Sequence, residues 1–156
     1  MIITATETDG SQIQSIAARA GVFSQEEIDS VQVMWTEYLT LGSEGSGYHF
    51  IADRDGERVL GFAIYGPRDL TDGVFDLYWI AVDPEARCNG VGRKLLTTCE
   101  EAARQMGGRM LIAETSGTPL YDATRKFYFS MGYENEATIR DFYATGDDLK
   151  IFTKRI

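Results

Sequence analysis

Apolar residues recur along this chain in two rhythms, and the rhythm changes at almost every glycine or proline. A short β-rich run opens it at residues 2–6. Residues 13–20 repeat apolar side chains at helical spacing and stop at Gly21. Ser24 with Glu27 three residues later has the form of a capping box. It predicts a helix to about residue 41 whose apolar face is Ile28, Val31, Met34, Trp35 and Leu39. "GSEGSG", residues 42–47, reads as a flexible loop. Three strands are expected next: residues 48–53, with "DRDG" as the turn; 58–65, broken by Gly66-Pro67; and 74–82. The last, "VFDLYWIAV", is almost wholly apolar, as a central strand covered on both faces would be. A helix from Gly90 to about Met106, a strand at 109–115 and a helix at 120–131, stopped by Gly132, follow. Strands at 136–142 and 148–154, around "YATGD", close the chain. The order β-α-α-β-β-β-α-β-α-β-β predicts an α/β fold, a mixed sheet with helices on its faces.

Length and composition narrow this picture. A chain of 156 residues, 44 % apolar and 25 % charged, reads as a single domain over 1–156 with no repeats. It can bury roughly two-thirds of its unfolded surface, enough for a core without staples. The net charge of −9 argues against nucleic acid or an anionic membrane as partner, and leans toward a cationic small substrate. One histidine, His49, and two cysteines, Cys88 and Cys99, make neither a disulfide framework nor a common metal site, so no metal is expected. The N-terminal stretch lacks a basic region followed by an apolar one, and no apolar run approaches a membrane span. A cytoplasmic protein is the expectation.

The chemistry gathers at "VDPEARCNGVGRKLL", residues 82–96. A strand there feeds a glycine turn and then a helix. Such a junction points unpaired N–H groups and the positive helix end at one spot, which suits an anion. Gly90 and Gly92 let a phosphate approach the backbone, and Arg87, Arg93 and Lys94 could add charge. The P-loop pattern is absent, and the dinucleotide fingerprint fails because Leu95 stands at its third glycine. The remaining pattern is Arg/Gln-x-x-Gly-x-Gly/Ala after Val-x-Pro, here Arg87-Cys88-Asn89-Gly90-Val91-Gly92 after Val82-Asp83-Pro84.

With "RKFYFSMGYE", residues 125–134, this loop resembles the GNAT superfamily of N-acetyltransferases over most of the chain from about residue 48. Cys88 and Asn89 depart from the Gly, Arg or Lys more usual in the family. The resemblance implies a GNAT-type fold with a mixed, mostly antiparallel sheet. It implies acetyl-coenzyme A as cosubstrate, its pyrophosphate held by the backbone amides of residues 88–94, Val91 among them. It also implies that the central strand splays from its neighbour, so that Ile80 offers a backbone N–H to the thioester carbonyl while Ala81 and Val82 line the pantetheine arm. Dimers are common in the family, so a homodimer is among the expected assemblies.

Acetyl transfer to an amine sets the remaining tasks. Tyr128, four residues before Gly132, matches the family's tyrosine and is the candidate acid for the leaving thiolate. Asp76, eleven residues before Arg87, matches the strand-borne base of some members. Alternation would put Asp76, Tyr78, Ile80 and Val82 on one face. Burial in an apolar strand would raise the Asp76 pKa, as a base requires. Glu114 and a water chain are the alternatives. The expected function is transfer of acetyl from acetyl-CoA to a primary amine of a small molecule, with Asp76, Glu114, Asp147, Asp148 and Glu44 as candidates for an acidic acceptor end. Acetylation of a protein or peptide, and a CoA-binding regulatory domain without turnover, are the rival expectations.

Overall fold

The computed structural model describes residues 1–156. Its strands are β1 (Ile2–Thr4), β2 (His49–Asp55), β3 (Arg58–Pro67), β4 (Val74–Val82), β5 (Met110–Ser116), β6 (Glu134–Ala144) and β7 (Asp147–Arg155). Its helices are α1 (Gly10–Arg19), α2 (Gln25–Ser46), α3 (Val91–Gln105) and α4 (Asp122–Ser130). The seven strands form one sheet in the order β1-β2-β3-β4-β5-β7-β6. Only β4 and β5 run parallel; every other pair is antiparallel. The expected α/β order and the mixed, mostly antiparallel sheet are both present. No helix is long and apolar enough to cross a membrane.

Helices cover both faces. Ile13, Ile16 and Ala17 of α1 and Val31, Met34 and Trp35 of α2 pack on Phe50, Phe62 and Ile64. On the other face Val91, Leu95, Leu96 and Cys99 of α3 and Tyr128 beside α4's end pack on Phe75, Leu77, Leu111 and Phe152. Alternation along the strands divides side chains between these two cores.

The capping box starts α2 as expected. The Ser24 hydroxyl accepts the Glu27 N–H at 3.2 Å, and the Glu27 carboxylate accepts the Ser24 N–H at 2.7 Å. The helix does not end near residue 41. It kinks at Gly42 (φ 71°) and continues to Ser46, so of the expected loop only Gly47, the left-handed cap, lies outside the helix. The Ser46 hydroxyl donates to the Gly42 carbonyl at 2.6 Å, which closes this extra turn. Leu39, expected on the buried face, is 45 % exposed.

Strand β3 also runs through Gly66-Pro67 rather than breaking there. A Cβ at Gly66 would lie 1.9 Å from the Gly47 carbonyl oxygen. The glycine is there because the end of α2 presses directly on the strand backbone.

The pairing of β3 with β4 contains one irregularity that governs the site. Ile64 pairs with Trp79 and Tyr65 with Leu77, so Tyr78 is an extra residue in β4. Such a bulge reverses the alternation of side chains beyond it. Phe75 and Leu77 face the α3/α4 core, and so do Ile80 and Val82. Asp76 lies opposite Gly66 and points to the α1/α2 side. Asp76, Tyr78, Ile80 and Val82 therefore do not share one face, as uniform alternation would have had them.

Candidate active site

Strands β4 and β5 are joined only from Val74↔Met110 to Leu77↔Ala113. Beyond that point β4 pairs with β3 alone, and β5 with β7 alone. A gap opens between residues 78–82 of β4 and 114–116 of β5, as the resemblance implied. Parallel strands that part in this way leave backbone groups facing each other without partners.

At the open end of β4 the chain turns into α3. Asp83 fixes the turn. Asp83 is 4 % exposed, and its carboxylate accepts from Arg19 at 3.1 and 3.3 Å, Arg58 at 3.2 Å and the Glu85 N–H at 3.0 Å. Burial alone would raise the Asp83 pKa; the hydrogen bonds from Arg19, the Glu85 amide and Arg58 outweigh it and hold it down at about 2. No short motif announced this anchor, because its arginines lie 64 residues upstream on α1 and 25 upstream on β3.

The glycine turn has the geometry of an anion cradle. Gly90 caps α3 in the left-handed region (φ 76°) with no side-chain hydrogen bond. Cys88 is also left-handed (φ 63°) and exposed. The Lys94 N–H is the first in the helix to be satisfied, by the Gly90 carbonyl at 3.0 Å. The amides of Val91, Gly92 and Arg93 find no acceptor in the chain. Arg93 and Lys94 are exposed beside them. Arg87, exposed at the turn, also makes a contact within the protein. Its guanidinium donates to the Ala20 carbonyl at 2.6 Å and ties the turn to the end of α1. The Asn89 side chain bonds back to the Ala86 carbonyl at 3.4 Å.

On the α3/α4 side of the gap lie Ile80, Val82, Phe127 and Tyr128. A Cβ on Gly92 would sit 3.6 Å from both the Phe127 ring and Val82. Tyr128 is 5 % exposed and packed among Phe127, Tyr133 and Phe152, with centroids 5.5 to 5.7 Å away. Burial, and then the nearby Cys99 thiol, push its pKa up, so the phenol keeps its proton across neutral pH. Its hydroxyl makes no hydrogen bond to another protein group. Thr115, on the same face of β5 as Leu111 and Ala113, is likewise buried, and its hydroxyl has no partner.

On the α1/α2 side the side chains are acidic and aromatic. Asp76 and Glu114 both approach Arg68, at 2.9 and 3.9 Å. Burial raises the Asp76 pKa; Arg68 opposes the rise and Glu114 adds to it. Tyr78 packs edge-on against Tyr48 at 5.3 Å. Burial and then Asp76 push the Tyr78 pKa to about 12. Tyr143, on the β6–β7 hairpin, is pushed up by burial and then by Glu114, Asp147 and Glu27. Tyr121 reaches about 12 by burial and then Glu27, Tyr143 and Asp147. The Tyr121 hydroxyl donates to the Val22 carbonyl at 2.9 Å, holding the α1–α2 connection near this wall. Asp148 is turned away: it accepts the Asp141 N–H at 3.0 Å within the hairpin. Glu44 stands past the kink in α2 and is exposed.

His49 is a strand residue stacked on Tyr65 at 5.1 Å, its pKa lowered by burial. A surface groove of about 770 Å³ lies between α1 and α2 beside Trp35, and none of the candidate site residues lines it.

Known proteins share this fold. The model of the acetyltransferase (GNAT) family matches residues 12–133. An uncharacterized N-acetyltransferase of Methanocaldococcus jannaschii is 28 % identical over 85 % of this chain and 88 % of its own. A crystal structure from Desulfovibrio desulfuricans, described as an acetyltransferase of the GNAT family, is 37 % identical, with a TM-score of 0.96 over 99 % of this chain and 98 % of that one. An acetyltransferase structure from Salmonella typhimurium with its cofactor acetyl-CoA has a TM-score of 0.76 at 20 % identity, over 99 % of this chain and 92 % of the other. That last likeness is one of fold.

Proposed function

This chain belongs to the acetyltransferase (GNAT) family and is an acyltransferase, and we propose that it moves acetyl from acetyl-CoA directly onto a primary amine of a small cationic molecule. The observation that carries the reading is the gap between β4 and β5. It has unpartnered amides of the glycine turn at its mouth, a protonated phenol on one side and two carboxylates on the other. Acetyl-CoA, bound by the Salmonella typhimurium fold neighbour, suits such a gap.

The amides of Val91, Gly92 and Arg93, with Arg93 and Lys94 beside them, hold the pyrophosphate. Ala81 and Val82 line the arm, and the Ile80 N–H receives the thioester oxygen as it gains charge. The acceptor enters from the α1/α2 side. Asp76 takes a proton from its ammonium group, which frees the nitrogen lone pair to attack the carbonyl carbon. Glu114 is the second carboxylate at hand. As the carbon–sulfur bond breaks, Tyr128 gives its proton to the departing thiolate, and the second proton shed by the acylated nitrogen as it becomes an amide restores the phenol. Holding both reactants in one gap supplies the gain of an intramolecular reaction.

The acidic wall supports a cationic acceptor. Glu27, Asp76, Glu114 and Asp147 all act on tyrosines of that side. Thiol release from acetyl-CoA, measured against polyamines, amino acids, aminoglycosides and peptides, tests the reading. Polyamines or aminoglycosides should give the highest kcat/KM, and it should fall as salt is added. A best acceptor of net negative charge, unaffected by salt, would overturn the acceptor class. A peptide as best acceptor would point to protein acetylation. CoA binding with no turnover on any amine would sink the proposed transfer.

A further inference from the structure

The two carboxylates of the acceptor side are not independent. Arg68 leaves the end of β3 with its N–H bonded to the Val74 carbonyl at 2.8 Å and its carbonyl accepting from the Thr71 hydroxyl at 2.7 Å. The root of the side chain is thus fixed, although the side chain as a whole is 44 % exposed. One nitrogen, Nη1, lies 2.9 Å from Asp76 Oδ1 and 3.9 Å from Glu114 Oε1. The Asp76 side chain is 17 % exposed and that of Glu114 43 %. Asp76 Oδ2 has no hydrogen-bond partner in the protein.

We infer that Arg68 is a positioning residue of the transfer reaction: by holding Asp76 and Glu114 on one guanidinium, it offsets their mutual repulsion and turns Asp76 so that its free oxygen can take the acceptor's proton. The inference rests on the reading of Asp76 as the base. Two carboxylates this close repel, and repulsion favours protonation of the more buried one. A carboxyl that already holds a proton cannot accept another. The guanidinium relieves the repulsion, and its single short contact leaves the second Asp76 oxygen free. Arginine suits the task because it stays charged throughout the working pH range.

Every charged or titratable group near the pair acts in a stated direction. Arg68 lowers the Asp76 pKa, and Glu114 from β5 raises it. Tyr78 on β4, Tyr48 before β2 and Asp69 beside Arg68 lie on the Asp76 side, and Tyr143 of the β6–β7 hairpin, itself near Asp147 and Glu27, lies on the Glu114 side. Tyr78 and Tyr48, both raised, stay neutral when Asp76 titrates. The balance at Asp76 is therefore between burial and Glu114 on one side and Arg68 on the other.

The test is a carbon-13 NMR titration of the Asp76 carboxyl in the full chain, which needs no acceptor. In Arg68→Met its proton affinity should rise roughly tenfold or more. Arg68→Lys should restore part of the wild-type value, and Glu114→Gln should move the midpoint to lower pH. The acid limb of kcat/KM, measured by thiol release with the best amine of the panel, should move with each midpoint. An Asp76 midpoint unchanged in both Arg68→Met and Glu114→Gln would overturn the inference, and Glu114→Gln keeps the test open if Arg68→Met does not fold. Asp76→Asn separates the two claims. Full turnover in that variant removes Asp76 as base, whereas lost turnover with unmoved midpoints removes only the role of Arg68.

Discussion

Arg87 reaches back across the fold to the Ala20 carbonyl, 2.6 Å away, and so joins the glycine turn to the last residue of the α1 region. Beside it, Arg19 grips Asp83. The turn that should receive the cosubstrate is therefore held from below by two arginine contacts that face the protein.

This anchoring sets the expected order of effects on CoA binding. Arg87→Ala removes one charged hydrogen bond and should lower Tm by about 2–6 °C. It should weaken CoA binding by less than about tenfold, since the cradle amides remain. Gly90→Val forces a branched residue to φ 76°, a cost of about 1–2 kcal/mol, and distorts the amides themselves. Calorimetry should show the glycine change as much the worse. The reverse order would show that the Arg87 charge, not the backbone, holds the anion.

Tyr128→Phe keeps the ring among Phe127, Tyr133 and Phe152 and removes a hydroxyl that bonds to no protein group. Melting temperature and CoA affinity should hold while kcat falls roughly 10²–10⁴-fold. Unchanged turnover would return Tyr128 to a packing role.

Thr115→Val exchanges a buried, unpartnered hydroxyl for a methyl of similar shape. Folding should gain about 1 kcal/mol, read as a Tm rise of about 2–4 °C. A fall in Tm would mean that the hydroxyl has a partner in the folded protein.

Asp83 makes a prediction about acid. Its folded pKa of about 2 lies below the ordinary carboxylate value, so its contribution is whole above about pH 4 and is lost as pH falls through about 2. The gap in Tm between wild type and Asp83→Asn should be widest above about pH 4 and close on acidification. A gap that stays constant down to about pH 2 would show that the charge is not what anchors the turn.

Local signals carried much of this structure. The bounds of β4, the Ser24–Glu27 capping box and the glycine entry to α3 are all short-range chemistry, visible in neighbouring residues. What stayed hidden depends on distant pairing. Nothing in "VFDLYWIAV" shows that Tyr78 is the extra residue, because a bulge is defined by the register of β3. "GSEGSG" has the composition of a loop, yet the Gly42 kink and the Ser46 hydroxyl carry the helix through it. Nothing beside Arg87 in the sequence shows that its guanidinium also reaches the Ala20 carbonyl, because that partner lies 67 residues upstream. Arg68 carried no signal, since its partners stand eight residues on and on another strand.

The extra residue at Tyr78 has a consequence for how such a protein can change. Upstream of it, Asp76 looks toward one helical layer; downstream, Ile80 and Val82 look toward the other. A single strand thereby serves two clients through separate stretches of its length. Under the proposed function, substitutions before the bulge would retune which amine is accepted while the half proposed to meet the acetyl donor keeps its shape. Losing that one residue would put the downstream half out of phase and exchange its two walls. The strand thus tolerates drift in side chains upstream of the bulge far better than any change in its count.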